Sequence, residues 1–463
     1  MIHRTTLALC SACGRRVQAR VVERDGAVLL EKWCPEHGPG TATIANDAGW
    51  YRRSLWCIKP NQPPLERSVD DFHGCPESCG YCPEHQQHAC LPVVEITSAC
   101  DLTCPVCLKR HPAVFQMTVG EFRGILERLR GCEGSIDVIN LSGGEPTLHP
   151  DLEGLLVAAA EAGVTQVSVS TNGLRLLEQR SLRELLRRHG AVVALQFDGF
   201  SPEASVALRG EDLVARKLAL VRTLEDEGVP FSLVATIQAG LNDTELPRIA
   251  DFFFESGALT LMIQPVAYTG RGRSLPGPHV LLTTDAVVRG LAGGGFLKAE
   301  DVLPLPCAHP SCFAMAYYVR GGPGEFVPLR RFLGEEGFLS ATANRALPGL
   351  DRAGWELVRE RLCDLWSAAD SSSRSEAVLA RVRQALRELE GSGFTPRRAL
   401  DLGMKSMKAV FIHAFMDRET FDFSRLVKCC NPYALADGRL VPMCAQNVFF
   451  QGDGVAATPP GES

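Results

Sequence analysis

Cys100, Cys104 and Cys107 stand in "EITSACDLTCPVCLKRH" (95–111), three thiols within eight residues in a C-x3-C-x2-C pattern. Soft ligands this close together can wrap three corners of an iron–sulfur cube. The fourth iron then has no protein ligand, and an open position on a metal is where a substrate binds. Two further motifs offer groups to such a substrate. "LSGGEP" (141–146) supplies Gly143 and Gly144, whose backbone can approach an ammonium group, and Glu145 adds a carboxylate. "STNG" (170–173) supplies the hydroxyl of Ser170 and the amide of Asn172, suited to a ribose or a carboxylate. Asp198, Thr236, Asn242 and Gln264 fall near the ends of apolar runs, where each serves a ligand or holds a loop.

The remaining cysteines fall into groups. The chain has 18, eleven of them before residue 108. Grouped cysteines in a large cytosolic chain argue for metal rather than disulfides. Cys75, Cys79, Cys82 and Cys90 in "CPESCGYCPEHQQHAC" form a set of four, matching a fully ligated auxiliary cluster or a zinc knuckle. Cys307 and Cys312 in "PCAHPSC", with Cys429, Cys430 and Cys444, suit a second auxiliary cluster across the mouth of the fold. Cys430 is preferred over Cys429, and His309 is either a ligand or a packing residue. Cys10, Cys13, Cys34 and His37 read C-x2-C-x20-C-x2-H, a mononuclear tetrahedral zinc or iron site. Cys57 competes with His37 for its fourth position. Cys132 and Cys363 stand alone and read as buried packing.

The elements that position these residues alternate. Strand-like runs at 91–97, 136–144, 166–173, 192–199, 231–237 and 259–265 are separated by helical patterns such as 118–131, with Phe122, Ile125, Leu126 and Leu129 on one face. Six such alternations predict parallel strands with helical crossovers. Periodicity alone fits a barrel, open or closed, or a doubly wound sheet. All three motifs fall at carboxyl ends of strands, where ligands of α/β folds bind. Before residue 91 the chain reads as short β-rich pieces with a hairpin turning at Asp25-Gly26, folding around metal. After 300 the pattern is irregular, with a helix at 376–390, an exposed loop at 370–375 and a disordered tail.

These motifs in this order resemble a radical S-adenosylmethionine (SAM) enzyme. The resemblance implies an α/β fold with a partial (β/α)6 TIM-like barrel over 91–300. It is flanked by Cys-rich metal-binding regions at 1–90 and 301–452, with a tail at 453–463. It implies that Cys100, Cys104 and Cys107 hold a [4Fe-4S] cluster whose open iron chelates the amino and carboxylate groups of SAM. Gly143, Gly144 and Glu145 would meet the methionine amino group, and Ser170 and Asn172 the methionine or ribose part; Asp198, by its place near a strand end rather than by the resemblance, is a further cofactor-binding candidate. Reductive cleavage then yields a 5'-deoxyadenosyl radical that abstracts hydrogen from unactivated carbon. Where the family often carries an aromatic residue before the third cysteine, this chain has Val106.

The full cysteine order, from "CSAC" and "CPEHG" to "VKCCNPYALADGRLVPMCAQN", resembles the archaeal tetraether lipid synthase family and its bacterial relatives. That resemblance implies coupling of lipid alkyl termini, one or two auxiliary [4Fe-4S] clusters, a mononuclear iron or zinc site, and a low-potential electron donor such as ferredoxin or flavodoxin. An older assignment within the family is radical methylation of a dihydropterin. A non-enzymatic electron-transfer protein would explain the cysteines but not "LSGGEP" and "STNG". A peptide-modifying enzyme would need a precursor-binding segment. An alkyl tail needs an apolar tunnel, and Met404, Met407, Phe411 and Phe415 could line one at helical spacing or simply pack in the core.

The formal charge of -6 over 463 residues lacks the basic footprint of a nucleic-acid binder. No run approaches the roughly 18 apolar residues of a membrane span. The expectation is a cytoplasmic enzyme, with peripheral contact at the inner membrane face left open.

Overall fold

The computed structural model describes residues 1–69, 74–109, 114–276, 279–322, 324–345, 347, 356, 360 and 395–450. Cys363, the loop at 370–375, the helix expected at 376–390 and the tail at 453–463 lie outside the described residues.

The N-terminal segment forms a four-stranded antiparallel sheet in the order β1 (Ile2–Leu9), β2 (Arg16–Arg24), β3 (Ala27–Cys34) and β4 (Gly38–Ala45). The β2–β3 hairpin turns at Asp25 and Gly26, both at positive φ, as the expected two-residue turn requires. The segment has a small core of its own, in which Ala8, Val21, Val28, Leu30 and Tyr51 are fully buried.

The sequence alternation becomes six parallel strands: β5 (Val93–Thr97), β6 (Val138–Gly143), β7 (Gln166–Thr171), β8 (Val192–Gln196), β9 (Phe231–Ile237) and β10 (Thr260–Pro265). Helices lie between them. The first, Val119–Glu133, starts in a capping box between Thr118 and Glu121 and buries Phe122, Ile125, Leu126 and Leu129. Each such side chain contributes roughly 1.5–3 kcal/mol on burial.

Later segments extend both edges. At one edge β14 (Met407–His413) pairs in parallel with β10, followed by antiparallel β12 (Phe313–Arg320), β11 (Leu303–Pro304) and β13 (Phe326–Pro328). At the other, β15 (Pro432–Ala434) pairs in parallel with β5, and β16 (Leu440–Pro442) pairs antiparallel with β15.

The two faces of the parallel strands differ. Ile139, Leu141, Val169, Val193, Leu195, Leu233 and Leu261 belong to the apolar core, whereas Asn140, Ser168, Ser170, Gln196, Thr236 and Gln264 alternate with them. This second set, from β6 to β10, borders one cavity of about 550 Å3. Strands so far apart in the order share a lumen only if the sheet curves, so the fold is a partial barrel rather than a flat doubly wound sheet.

One periodicity reading is corrected. The helix Pro396–Ser406 stops where β14 begins at Met407, so residues 404–415 are not one helical stripe. The run "AVFIH" favours strand, and its pairing with β10 and β12 decides the matter. A spacing of four fits both a strand and a helix, so Met407 and Phe411 still share a face. All four named residues line the cavity.

Candidate active site and metal centres

Cys100, Cys104 and Cys107 lie in the loop leaving β5, and all three border the cavity. The loop is pinned from two sides. Val106 N–H donates to Leu208 O at 3.4 Å, and Arg271 N–H to Cys107 O at 2.9 Å. Val106 is buried against Leu208, Val266 and Tyr268. Gly144 and Glu145 donate their N–H groups to Thr97 O and Ala99 O, each at 2.7 Å, stitching the end of β6 to the base of the cysteine loop. A Cβ on Gly143 would stand 2.2 Å from Thr97 O, and one on Gly144 2.2 Å from Ala99 O. Only glycine permits this approach.

Glu145 borders the cavity, and its carboxylate is also engaged by its neighbours. It is buried, and its oxygens accept from Thr147 N (3.0 Å), Thr147 Oγ1 (2.7 Å), Thr171 Oγ1 (2.7 Å) and Asn172 N (2.8 Å). Burial raises its pKa, and these donors oppose the shift. The carboxylate therefore locks the ends of β6 and β7 together. Asn172 Nδ2 donates to Asp101 Oδ1 at 2.5 Å, tying "STNG" to the cysteine loop. Ser170 donates to Asn140 Oδ1 at 3.0 Å.

Asp198 is equally committed. It takes Arg209 Nε at 2.7 Å, Arg209 Nη2 at 2.8 Å and Thr236 N at 2.9 Å. Arg209 also donates to Thr236 Oγ1 at 2.8 Å and lies close enough to Cys104 for its charge to act on that thiol. Burial raises the pKa of that thiol, while the guanidinium works the other way. Asn242, fully buried, bonds Asp198 O and Thr236 O and so holds two strand ends. Gln264 faces the cavity.

Arg209 and Lys217 escaped the sequence reading. Lys217 Nζ donates to Gln196 Oε1 at 2.9 Å and to Asn172 O, and burial pushes its pKa down to about 7. A signal existed for it: Lys217 shares a helix face with the buried Leu220, Val221 and Leu224. Arg209 merely ends a helix before Gly210, and spacing says nothing about its direction.

The sequence profile of the radical SAM superfamily matches residues 70–253, spanning the cysteine loop, "LSGGEP" and "STNG". Residues 70–253 carry a radical SAM domain. A second profile, described as the HMPTM N-terminal zinc ribbon domain, matches residues 2–46. The chain is 26% identical to the 7,8-dihydro-6-hydroxymethylpterin dimethyltransferase of Methanocaldococcus jannaschii, over 97% of this chain and 94% of that protein. It is 32% identical to the mycofactocin maturase MftC of Mycobacterium tuberculosis, over 38% of this chain and 45% of MftC. Among solved structures, Streptococcus suis SuiB bound to precursor peptide SuiA aligns over 45% of this chain and 46% of SuiB, at 17% identity and a TM-score of 0.38.

Radical SAM enzymes use a [4Fe-4S] cluster and SAM. The three loop thiols supply the soft donors such a cluster takes, and Gly143 and Gly144 border the same cavity while packing directly on the backbone at the base of that loop. Cys100, Cys104 and Cys107 would hold the cluster, beside the cavity that would take SAM.

The other cysteines regroup. Cys90 packs in one buried cluster with Cys307 and Cys430, whose thiols raise its pKa, whereas Cys75 and Cys79 pack in another. The cause is strand register. Tyr433 on β15 stands opposite Val93 on β5, so the residues three earlier in each chain, Cys430 and Cys90, come together. Cys90 N–H accordingly donates to Cys430 O at 2.8 Å. The Cys79 thiol packs with Cys75, and the thiols of Cys75, Cys82 and Cys429 push its pKa up. Of the adjacent pair, Cys430 packs with Cys90 and Cys307, while the charge of Cys429 is felt by Cys79. Cys444 packs with Cys75 and Cys79, and its Sγ accepts from Met416 N. Cys312 Sγ accepts from Arg425 Nε at 3.1 Å. No two described cysteines are joined in a disulfide. Cys90 and Cys430 border the same cavity as the SAM cysteines. His309 is packed against Arg4 and Ser311 N, buried as a hydrogen-bonding residue rather than set among the thiols.

At the N-terminus, the ligand atoms of Cys10, Cys13, Cys34 and His37 all lie within 4.8 Å of one another. Cys13 and Cys34 Sγ are 3.9 Å apart, and Cys34 Sγ is 3.5 Å from His37 Nδ1. A tetrahedral metal with bonds of about 2.3 Å to sulfur and about 2.0 Å to nitrogen separates its ligands by about 3.8 and about 3.5 Å. The donor set fits zinc or iron. His37 is the fourth member, and Cys57 is buried instead in the core cluster containing Cys90 and Cys307. Cys132 packs fully buried, as expected.

Proposed function

We propose that this radical SAM enzyme acts on the alkyl chain of a lipid, removing hydrogen from an unactivated carbon in preparation for carbon–carbon coupling. One observation carries the reading. The cavity that begins at the SAM cysteines continues along an apolar wall formed by Met262, Phe313, Met315, Met404, Met407 and Phe411. Such a wall removes methylene groups from water and holds a chain that has no polar handle near its reacting carbon. The polar wall opposite, with Asn140, Ser170 and Gln196, suits the nucleoside and methionine parts of SAM.

Bound together, the cluster and SAM supply a one-electron reductive cleavage that generates a radical able to take hydrogen from such a carbon. The protein's part is positional. Cys100, Cys104 and Cys107 hold the cluster, Glu145 and Asn172 brace the loop around it, and the charge of Arg209 acts on Cys104. The Cys90 and Cys430 group, on the same cavity, is suited to an auxiliary [4Fe-4S] cluster near the substrate. A low-potential electron donor is required.

A second reading, methylation of a dihydropterin, is favoured by the printed name of the near full-length M. jannaschii relative and by the polar wall. One experiment separates them. Reconstituted enzyme with reductant and SAM is offered either a chain-perdeuterated lipid or a dihydropterin. Deuterium in 5'-deoxyadenosine supports the lipid reading. A methylated pterin with no deuterium transfer overturns it. Cys104→Ala abolishes 5'-deoxyadenosine release under either reading.

A further inference from the structure

The N-terminal ribbon touches the segments that carry Cys75, Cys79, Cys307, Cys312 and Cys444, and it does so next to its own metal ligands. Ser11, between Cys10 and Cys13, donates to Glu419. Lys32, two residues before Cys34, donates to Arg418 O at 3.1 Å and to Glu419 O at 2.9 Å. On β1, Thr6 Oγ1 donates to Asp422 Oδ1 at 2.6 Å, Arg4 is ion-paired with Asp422, and Ala8 pairs with Asp422 through the backbone. Arg4 Nη1 also reaches Ser424 Oγ at 2.7 Å, and Nη2 reaches His309, which lies between Cys307 and Cys312. On β2, Arg16 Nη1 donates to Cys75 O at 2.7 Å. Leu9, immediately before Cys10, is buried in one cluster with Cys79 and Cys444.

Asp422 is the hub. It caps the turn that carries Arg425, whose N–H donates to Asp422 O at 3.0 Å. Arg425 in turn spends its guanidinium on Cys312 Sγ at 3.1 Å and on Ser311 O and Ala414 O, each at 3.0 Å. Burial alone would raise the pKa of Asp422, yet the Arg4 guanidinium holds it down at about 2. The pair is thus charged at any working pH, and breaking one side of such a buried pair is costly.

We propose that the ribbon's metal site is a positioning element for the auxiliary cysteine centres: the metal fixes β1 and the two knuckles, and these hold Asp422, Arg425 and the Cys75, Cys307 and Cys312 segments in place. The inference rests on the C-terminal cysteines holding iron. It assigns the ribbon metal neither electron transfer nor substrate contact. A ribbon whose metal is lost frees Ser11 and Lys32 from the 418–419 turn and loosens the grip on Asp422. Auxiliary iron should then be lost first, because the SAM loop is pinned separately by Leu208 and Arg271.

The test uses the full chain, anaerobically reconstituted with zinc, iron and sulfide, as wild type, Cys13→Ser, Arg4→Met and Arg4→Lys. Iron and labile sulfide per chain are measured, together with electron paramagnetic resonance of the reduced protein with and without SAM. Cys13→Ser and Arg4→Met are expected to lose at least half of the iron beyond the single SAM-responsive cube, while that cube's SAM-dependent signal persists. Arg4→Lys, which keeps the charge, should restore part of it. Wild-type iron content and spectra in both Cys13→Ser and Arg4→Met overturn the inference. Loss of the SAM-responsive signal in step with the rest also overturns it, since the ribbon would then serve general folding. Wild-type protein retaining only the roughly four irons of one cube removes the auxiliary centres themselves.

Discussion

Replacing Asp198 by asparagine tests whether the Cys104 side of the site is organised by a buried ion pair. The Asp198 and Arg209 side chains are only 6% and 11% exposed, and the contact is bidentate at 2.7 and 2.8 Å. Asparagine keeps the shape but leaves Arg209 charged, buried and short of its counter-ion, which costs about 3–5 kcal/mol. Thr236 Oγ1 and the Cys104 thiol are too weak to compensate. Removing the charge as well, in Asp198→Asn/Arg209→Met, should recover at least about 2 kcal/mol of that loss, because the uncompensated cation is gone. The assay is anaerobic urea unfolding followed by far-ultraviolet circular dichroism. Activity separates the two roles. Both variants lose 5'-deoxyadenosine release, since Cys104 loses its guanidinium neighbour in one and its fixed orientation in the other. A double variant as unstable as Asp198→Asn, or less stable, would show that the pair is not coupled and that the network argument is wrong.

Three further outcomes follow from the geometry. His37→Ala should lower zinc retention against a chelator by at least tenfold, while Cys57→Ser retains wild-type zinc; the reverse order would put Cys57 in the site. Ala409→Phe, on the apolar wall, should cut lipid-dependent product at least tenfold while uncoupled SAM cleavage persists, and undiminished product would place the substrate elsewhere. Lys217 has its pKa depressed to about 7 by burial. Between there and its unfolded value the unfolded chain binds the extra proton, so stability rises with pH. Wild type should gain about 2–3 kcal/mol over Lys217→Met between pH 7 and 9, and a flat difference in urea unfolding would refute the buried amine.

The parallel strands were legible in the chain because each is a short β-rich run bounded by turn residues. The barrel was legible too, through a signal that periodicity counts pass over. Strands covered by helices on both faces are apolar on both, yet "QVSVST" places Ser168 and Ser170 opposite Val167 and Val169. A polar inner face announces a lumen. The roles of Glu145 and Asp198 were not legible, because a carboxylate at a strand end looks the same in sequence whether it faces ligand or ties neighbouring strands. Here Glu145 meets Thr171, and Asp198 meets Arg209. The C-terminal run at 404–415 misled because a spacing of four satisfies both periods, and only pairing with β10 and β12 chose strand.

Cluster membership shows why spacing has a limit as evidence. "CPESCGYCPEHQQHAC" contains four cysteines close enough in sequence to close a site by themselves, yet the fourth is taken away by a strand that begins three residues later. Pairing of β5 with β15 fixes Val93 opposite Tyr433, and that single register draws Cys90 to Cys430. The same pairing carries both cysteines to the cavity beside the SAM loop. Cys429 closes the turn before that approach, its N–H donating to Leu426 O at 3.1 Å, and its charge is felt by Cys79. The division of the cysteines is therefore a consequence of sheet closure rather than of local sequence. A register slip of one residue between β5 and β15 would exchange which of Cys429 and Cys430 faces the substrate cavity. Exchanging the order of Asn431 and Cys430 is the corresponding perturbation: it moves the second thiol one position along β15's approach and off Cys90. If the pairing sets the centre, that double substitution should empty the cavity-side centre of iron while leaving the SAM-responsive signal intact.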